Sequence, residues 1–90
     1  MPEFEWDEEK REANLEKHGI SFVAAIKIFL SDPYIERSDR NSESRYIAVG
    51  EVKGRILTVA YTLRGDRIRI ISARRARKNE EKKYRQLHHG

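Results

Sequence analysis

The stretch that decides the fold is residues 45–73, RYIAVGEVKGRILTVAYTLRGDRIRIISA. Three strand-like runs occupy 45–52, 56–63 and 68–73, and the gaps between them contain Lys53-Gly54 and Arg64-Gly65-Asp66. Short connections with a glycine are typical of β-hairpins. The stretch therefore predicts an antiparallel meander of three strands.

Two helices are predicted on the N-terminal side of this meander. Asp7 is suited to N-cap the first helix, which runs to about Lys17 and ends at Gly19, a residue that accepts the left-handed conformation. Ser21 is suited to cap the second, because apolar residues then recur at helical spacing until Asp32-Pro33 ends the pattern.

The remaining segments complete a single domain over residues 1–90. Phe4-Glu5-Trp6 and Tyr34-Ile35 predict short strands, residues 38–44 predict a loop, and the pattern becomes helical from about Arg74. The fold class is therefore α+β: a small antiparallel sheet with two N-terminal helices and a basic C-terminal helix. With helices on one face, the other face is left to solvent.

The composition narrows the functional classes. The chain has no cysteine, which excludes a disulfide framework and cysteine-based zinc sites. The N-terminal MPEFEWDEEK is acidic and has no apolar core of a signal peptide, and no apolar run is long enough to cross a membrane. We expect a cytoplasmic protein without a membrane partner.

Charge is segregated along the chain. Residues 1–30 carry seven acids against four Lys/Arg, residues 31–62 carry five of each, and residues 63–90 carry three acids against ten Lys/Arg. The last segment is thus net +7 within a chain of net +4. Such a field attracts polyanions, which indicates a nucleic-acid site, and we expect the nucleic acid to be RNA.

The candidate binding residues follow from this segment. Arg67 and Arg69 lie on one face of the last strand, about 7 Å apart, which is near the spacing of successive phosphates. Arg64 lies at the preceding turn. The basic run continues with Arg74, Arg75, Arg77 and Lys78. The alternative is a solvated basic edge that only deters aggregation.

Three further side chains are candidates for chemistry or stacking. His18 is a general acid/base by residue type, although a histidine at a helix C-terminus also serves simply to interact with the helix dipole. Tyr84 and Tyr61 are able to stack on bases or, alternatively, to pack at the edge of the core. No histidine, cysteine or carboxylate spacing predicts a metal site, so we expect no cofactor.

Several motifs, in order along residues 4–84, resemble the BrnT toxins. They are Phe4-Glu5-Trp6-Asp7, Asn14 with Lys17-His18-Gly19, Phe22 with Ala25, Phe29 with Asp32-Pro33, Tyr61-Thr62 with Arg64, Arg69-Ile70-Ile71-Ser72-Ala73-Arg74 with Ala76, and Glu80 with Tyr84. One departure is Glu81, where the family pattern usually has arginine.

The resemblance implies a RelE-like fold and the toxin half of a type II toxin–antitoxin system. Such a toxin is an endoribonuclease that arrests growth. The resemblance also implies a BrnA-type antitoxin, a 2:2 heterotetramer, and contact with operator DNA only through the antitoxin.

Combined with the residue pattern, this predicts a metal-independent endoribonuclease in which the RNA 2′-hydroxyl attacks the neighbouring phosphate. Arg64 and Arg69 would hold the scissile phosphate, and His18 or Tyr84 would transfer protons. The flanking RNA would contact Arg67, Arg74, Arg75, Arg77, Lys78 and Tyr61. The alternative is a non-catalytic nucleic-acid-binding module or co-repressor.

Overall fold

A computed structural model describes residues 3–89 of the chain. The helices are α1 (Glu8–His18), α2 (Phe22–Ala25), which continues as a 3₁₀ helix (Ile26–Leu30), and α3 (Lys78–His89). The strands are β1 (Glu3–Trp6), β2 (Tyr34–Arg37), β3 (Tyr46–Val52), β4 (Arg55–Arg64) and β5 (Arg67–Arg75). The α+β class and the β3-β4-β5 meander are confirmed.

The five strands form one sheet in the order β1-β5-β4-β3-β2. All neighbouring pairs are antiparallel except β1 and β5, which are parallel. The prediction of an antiparallel sheet was therefore wrong at this edge. The chain leaves β1, crosses one face as helices to the opposite edge, and returns through the meander, so β5 reaches β1 running in the same direction.

The main core lies between the sheet and the helices that follow β1. Phe22 and Ile28 are fully buried there against Val59 and Ile70. Gly50 of β3 lies directly under the 3₁₀ helix, and a Cβ added to it would be 2.8 Å from the Cβ of Ile28. A glycine within this strand therefore permits the close approach of the helix.

Helix α3 packs on the opposite face of the sheet, which corrects the expectation that all helices lie on one side. Tyr84 of α3 packs against Val49 and Ile56, and Lys83 forms an ion pair of 3.3 Å with Glu36 of β2. Because α3 contacts mainly β2 and β3, together with Ile56 and Thr58 at the start of β4, the rest of this face on β4 and β5 remains uncovered. We call this part the open face.

Two predictions about the helices were also wrong. The second helix is a single α-turn followed by 3₁₀ winding, instead of one continuous helix. At the C-terminal end, β5 continues to Arg75 because Arg74 and Arg75 pair with Thr58 and Leu57 of β4. Helix α3 consequently begins at Lys78 and not near Arg74.

Asn14 of α1 completes the free edge of β5. Strand β1 pairs with β5 only over Arg67–Ile70. Beyond that point the Asn14 side chain accepts from the Ala73 N–H at 3.0 Å and donates to the Ala73 carbonyl at 2.9 Å, and it also donates to the Ile20 carbonyl at 3.0 Å. The buried amide thus replaces a strand partner and fixes α1 along β5.

Glu80 joins α3 to the sheet. Its carboxylate accepts hydrogen bonds from both terminal nitrogens of Arg74 at 2.8 and 2.9 Å, from Thr58 Oγ1 at 2.9 Å, and from the Arg77 N–H at 2.9 Å. Burial by itself would raise the pKa of Glu80. The hydrogen bonds from Arg74, Arg77 and Thr58 outweigh burial and lower the pKa to about 2.

We predict that Asn14→Ala destabilises the protein by about 3 kcal/mol, because the Ala73 N–H and two carbonyls lose a buried partner. Asn14→Asp should be no better, since a carboxylate would face two carbonyl oxygens. Urea unfolding measures both changes. Glu16→Ala, at an exposed position of the same helix, should change stability by less than about 0.5 kcal/mol. A loss for Asn14→Ala as small as that of Glu16→Ala would contradict this role.

We predict that acid unfolding is governed in part by Glu80. Because its folded pKa is about 2 and its ordinary value is 4.5, it contributes stability above pH 4.5 that is lost as the pH falls towards 2. The contribution is on the order of 3 kcal/mol. Glu80→Gln should therefore lower stability at pH 7 and flatten the pH dependence of the free energy of unfolding below pH 5.

The matched control is Glu81→Gln. Glu81 pairs with Arg85 at an exposed helix position, where such a pair is worth about 0.3–0.5 kcal/mol. Equal acid sensitivity of the two variants would show that Glu80 is not the anchor.

Candidate nucleic-acid interface

The open face carries the polar side chains of β4 and β5. Residues directly opposite each other in the ladder share a face, and the Thr62–Arg69 and Arg64–Arg67 pairs both lie on the open side. A β-bulge interrupts the register, because Ala60 pairs with Ser72 whereas Tyr61 pairs with Ile70. Beyond Ile71, the open face continues with Ser72 and Arg74.

A cleft of about 280 Å³ lies on the open face beside the start of α3. Its basic residues are Arg40, Arg45, Arg74 and Arg77, and we call it the arginine cleft. Glu80 is the single acid that lines it among the described residues. The rest of the lining is Ser38, Tyr46, Ile47, Ala60, Ile71 and Ser72. Four arginines around a small polar cleft form a suitable site for phosphate groups.

The arginines of the cleft differ in how far they are neutralised. Arg74 is held by the Glu80 carboxylate, whose hydrogen bond raises the pKa of Arg74. Arg45 forms an ion pair of 2.8 Å with Glu43 at the surface. Within residues 3–89, the side chains of Arg40 and Arg77 have no ion-pair partner, so their charge is available to a ligand.

Glu80 itself is unsuited to proton transfer near neutral pH. Its four hydrogen-bond donors hold the carboxylate ionised, with a pKa of about 2. A general base works best when its pKa lies near the operating pH. The arginine cleft therefore supplies positive charge and not a proton-transfer group.

A second group of basic residues lies further along the same face, at the β4–β5 hairpin. We call Arg64, Arg67 and Arg69 the hairpin arginines. Arg69 contacts Glu5 of β1 at 2.6 Å, and Arg67 contacts Glu3 at 3.1 Å and Glu5 at 3.6 Å. The hydrogen bond from Arg69, together with the charges of Arg67 and Arg64, lowers the pKa of Glu5. Strand β1 thereby orients these side chains, while Arg64 remains exposed.

His18 lies on the other side of β5 from the arginine cleft. It borders a cavity of about 280 Å³ that is lined by Lys10, Ala13, Asn14, Lys17, His18, Ile71 and Ser72. We call this the α1 cavity. Because Ile71 and Ser72 line both cavities, the β5 bulge is a ridge with arginines on one side and an exposed histidine on the other.

The two tyrosines proposed from sequence are buried. Tyr61 is 5% exposed and lies in the main core, where its ring stacks on Tyr46 at 5.5 Å and meets the edge of Phe29 at 5.3 Å. Tyr84 is 7% exposed beneath α3, next to His88. Neither ring lines the open face, so neither is retained in the site.

The other predicted residues are divided by the fold. Arg75 pairs with Leu57, a core residue, and therefore belongs to the helix-covered face. Lys78 is exposed at the start of α3 and does not line the cleft. Arg40 and Arg45 are the residues missed by sequence reasoning. They belong to a segment with no net charge: Arg40 lies within the predicted 38–44 loop, and Arg45 directly follows it.

The described part of the chain shows no cluster of three or more metal-ligating side chains. No helix among these residues is long and apolar enough to span a membrane.

Comparison with known proteins identifies the family of the chain. The family model described as the ribonuclease toxin BrnT of a type II toxin–antitoxin system matches residues 6–80. The crystal structure of the Brucella abortus ribonuclease toxin BrnT superposes with a TM-score of 0.67 at 31% sequence identity, covering 87% of this chain and 100% of that one. Curated proteins yield no match. The chain therefore belongs to the BrnT family of ribonuclease toxins of type II toxin–antitoxin systems.

Proposed function

We propose that the protein is a metal-independent endoribonuclease that binds single-stranded RNA along the open face and cuts it at the β5 ridge. The observation that carries this proposal is the shared position of Ile71 and Ser72. These two residues border the arginine cleft on one side and His18 on the other. A phosphate above Ser72 would thus lie between fixed positive charge and a group able to transfer a proton.

In the proposed reaction, the 2′-hydroxyl of the substrate attacks the adjacent phosphorus while the bond from phosphorus to the 5′-oxygen breaks. The products are a 2′,3′-cyclic phosphate and a 5′-hydroxyl, so no water or other co-reactant is consumed. The proton leaves the 2′-hydroxyl and ends on the departing 5′-oxygen, and His18 transfers it. The negative charge that develops on the phosphate is stabilised by Arg69 and Arg74. Arg69 is the ordered side chain that precedes the ridge on this face.

The rest of the RNA follows the basic residues on either side of the ridge. Arg64 and Arg67 bind phosphates at the hairpin end, and Arg40, Arg45 and Arg77 bind them in the cleft. Glu5 and Glu80 act as positioning residues, because each holds one arginine of the open face in place. Side-chain positions fixed before binding lower the entropic cost of ordering the substrate.

We predict that the purified chain cuts single-stranded RNA equally well with and without EDTA and leaves 2′,3′-cyclic phosphate ends. His18→Ala should lower the cleavage rate by about 100-fold or more, the usual contribution of a general acid/base. The matched control is His88→Gln, at a histidine that contacts the Asp32 carbonyl outside the open face. Unchanged cleavage by His18→Ala would remove His18 from the mechanism, and intact RNA with the wild-type chain would refute the enzyme.

The partner that we propose is a BrnA-type antitoxin in a 2:2 complex, with operator DNA contacted only through the antitoxin. Support comes from charge, since an acidic antitoxin segment laid over Arg40, Arg77 and the hairpin arginines would neutralise the toxin and block RNA at once. Both partners would act in the cytoplasm, where the RNA is.

We predict that expression of the chain alone arrests growth and that co-expression of the antitoxin restores it. Arg64→Ala should relieve the arrest, because it removes an exposed charge that flanks the scissile phosphate. Arg55→Ala is the matched control, since Arg55 is an exposed arginine at the opposite end of the same strand. Growth rates and total RNA integrity measure the effect. Equal relief by the two variants would indicate a general effect of charge.

The alternative function is a non-catalytic nucleic-acid-binding module or co-repressor. One observation favours it: Glu5 and Glu80 already neutralise two arginines of the open face. The same RNA assay separates the two functions. A module binds RNA with a strong dependence on salt and leaves it intact.

A further inference from the structure

We propose that the basic side of α1 is a second RNA-binding surface, which holds the strand after it has crossed the β5 ridge. This inference rests on the proposed function and extends its substrate site. The surface consists of Lys10 and Lys17 together with Ala13, in the α1 cavity beside His18. It lies outside the basic C-terminal third, within a segment whose overall charge is −3.

The charges of α1 are sorted by face. At about 100° per residue, Lys10 and Lys17 lie within about 20° of each other, whereas the four glutamates fall within an arc of about 100° on the other side. Those glutamates are Glu8, Glu9, Glu12 and Glu16. No acid lines the α1 cavity among the described residues. The helix is therefore acidic towards solvent and basic towards the ridge.

Neither Lys10 nor Lys17 has an available acid at the spacing that allows an ion pair within the helix. Ion pairs on a helix form between residues three or four apart. For Lys17 those positions are Ala13, Asn14, Ile20 and Ser21. For Lys10 the one acid at such a spacing is Asp7, and its carboxylate instead accepts the Glu9 and Lys10 N–H groups as the helix cap.

Arg11, on the same helix, does have ion-pair partners. It pairs with Glu8 at 2.6 Å and with Glu12 at 3.6 Å. Over residues 3–89, Lys10 and Lys17 have no ion-pair partner. Both ammonium groups are consequently available to an anion without loss of an existing interaction.

The position of this surface is fixed relative to the ridge. Asn14 lies between the two lysines in sequence, and its side chain is bonded to the backbone of Ala73, the residue after Ser72. Phosphates reaching from Ser72 onto α1 would therefore meet a helix whose position is already fixed. Ala13 and Ile71 add apolar wall against which a ribose or base can pack.

The dipole of α1 does not attract phosphate to this surface. The C-terminal end of a helix carries partial negative charge, which disfavours phosphate near His18. The two lysines must therefore supply the attraction, and their removal should have a measurable effect. This makes the charge of Lys10 and Lys17 the quantity to test.

The test uses the full chain and two RNA oligomers with 2′-O-methyl groups, which cannot be cut by attack of the 2′-oxygen. One has about 4 nucleotides, enough for the cleft, and the other about 12, enough to continue onto α1. Affinity is measured by fluorescence anisotropy between about 50 and 200 mM KCl. The test variant is Lys10→Gln with Lys17→Gln, and the control is Lys27→Gln with Lys53→Gln, which removes the same charge at exposed sites elsewhere.

The test variant should bind the long oligomer roughly tenfold more weakly, and its salt slope should fall by about 1.4, the value for two lost phosphate contacts on a single strand. Its affinity for the short oligomer should be unchanged, as should both affinities of the control variant. Long-oligomer binding equal to that of the control, or equal weakening for both oligomers, would overturn the α1 surface while leaving the proposed function standing. Failure of the wild-type chain to bind either oligomer would overturn both.

Discussion

The Glu80 carboxylate meets four hydrogen-bond donors from three parts of the chain: the Arg74 guanidinium on β5, the Thr58 hydroxyl on β4 and the Arg77 amide at the start of α3. A buried carboxylate without such partners would be strongly unfavourable, so α3 and the sheet are bound to one relative position. That position leaves the open face uncovered beside the helix. The arginine cleft exists because α3 is held at its edge.

Acids placed among the arginines determine which charges a ligand meets. The C-terminal 28 residues carry a formal net charge of +7, but Glu80 lies inside this segment and Glu3 and Glu5 arrive from β1. Arg69 and Arg74 are therefore ordered by carboxylates, whereas Arg40 and Arg77 are not. Ordered arginines suit a phosphate that must be held in one geometry, and free arginines suit phosphates that need only be attracted. The open face contains both kinds.

The sequence predicted elements well where local rules act and less well where distant residues meet. Strands β3 to β5 followed from alternation and glycine turns, and the caps of α1 at Asp7 and Gly19 followed from residue type. The parallel β1–β5 pair was not predicted, because it depends on the path of the whole chain. The sequence also failed to predict which face α3 covers. Helix α3 has few apolar residues, and Glu80 looks like a solvent-exposed acid unless one knows that Arg74 lies opposite it.

The contrast between local rules and distant contacts also explains which individual residues were placed correctly from the sequence. Arg67 and Arg69 were predicted to share one face because alternate residues of a strand point the same way, and the structure places both on the open face. Tyr61 was misplaced in the proposed site because a tyrosine in a strand suits either face, and here it faces the core. Arg40 was missed because a loop carries no period, so nothing in it indicates which way a side chain points. Arg45 was missed because it is the first residue of the predicted 45–52 run, next to that loop.

The β5 bulge determines which side chains face the open face. With regular alternation from Ile68 and Ile70, positions 72 and 74 would face the core, and Ala73 would face solvent. The extra residue at Ile71 reverses this, so Ala73 is fully buried while Ser72 and Arg74 reach the open face. Without the bulge, Glu80 would lose Arg74, the Ser72 ridge would disappear, and a guanidinium would enter the core. The two adjacent isoleucines in Arg69-Ile70-Ile71-Ser72 are the sequence mark of this change, since they are the point at which the alternation fails.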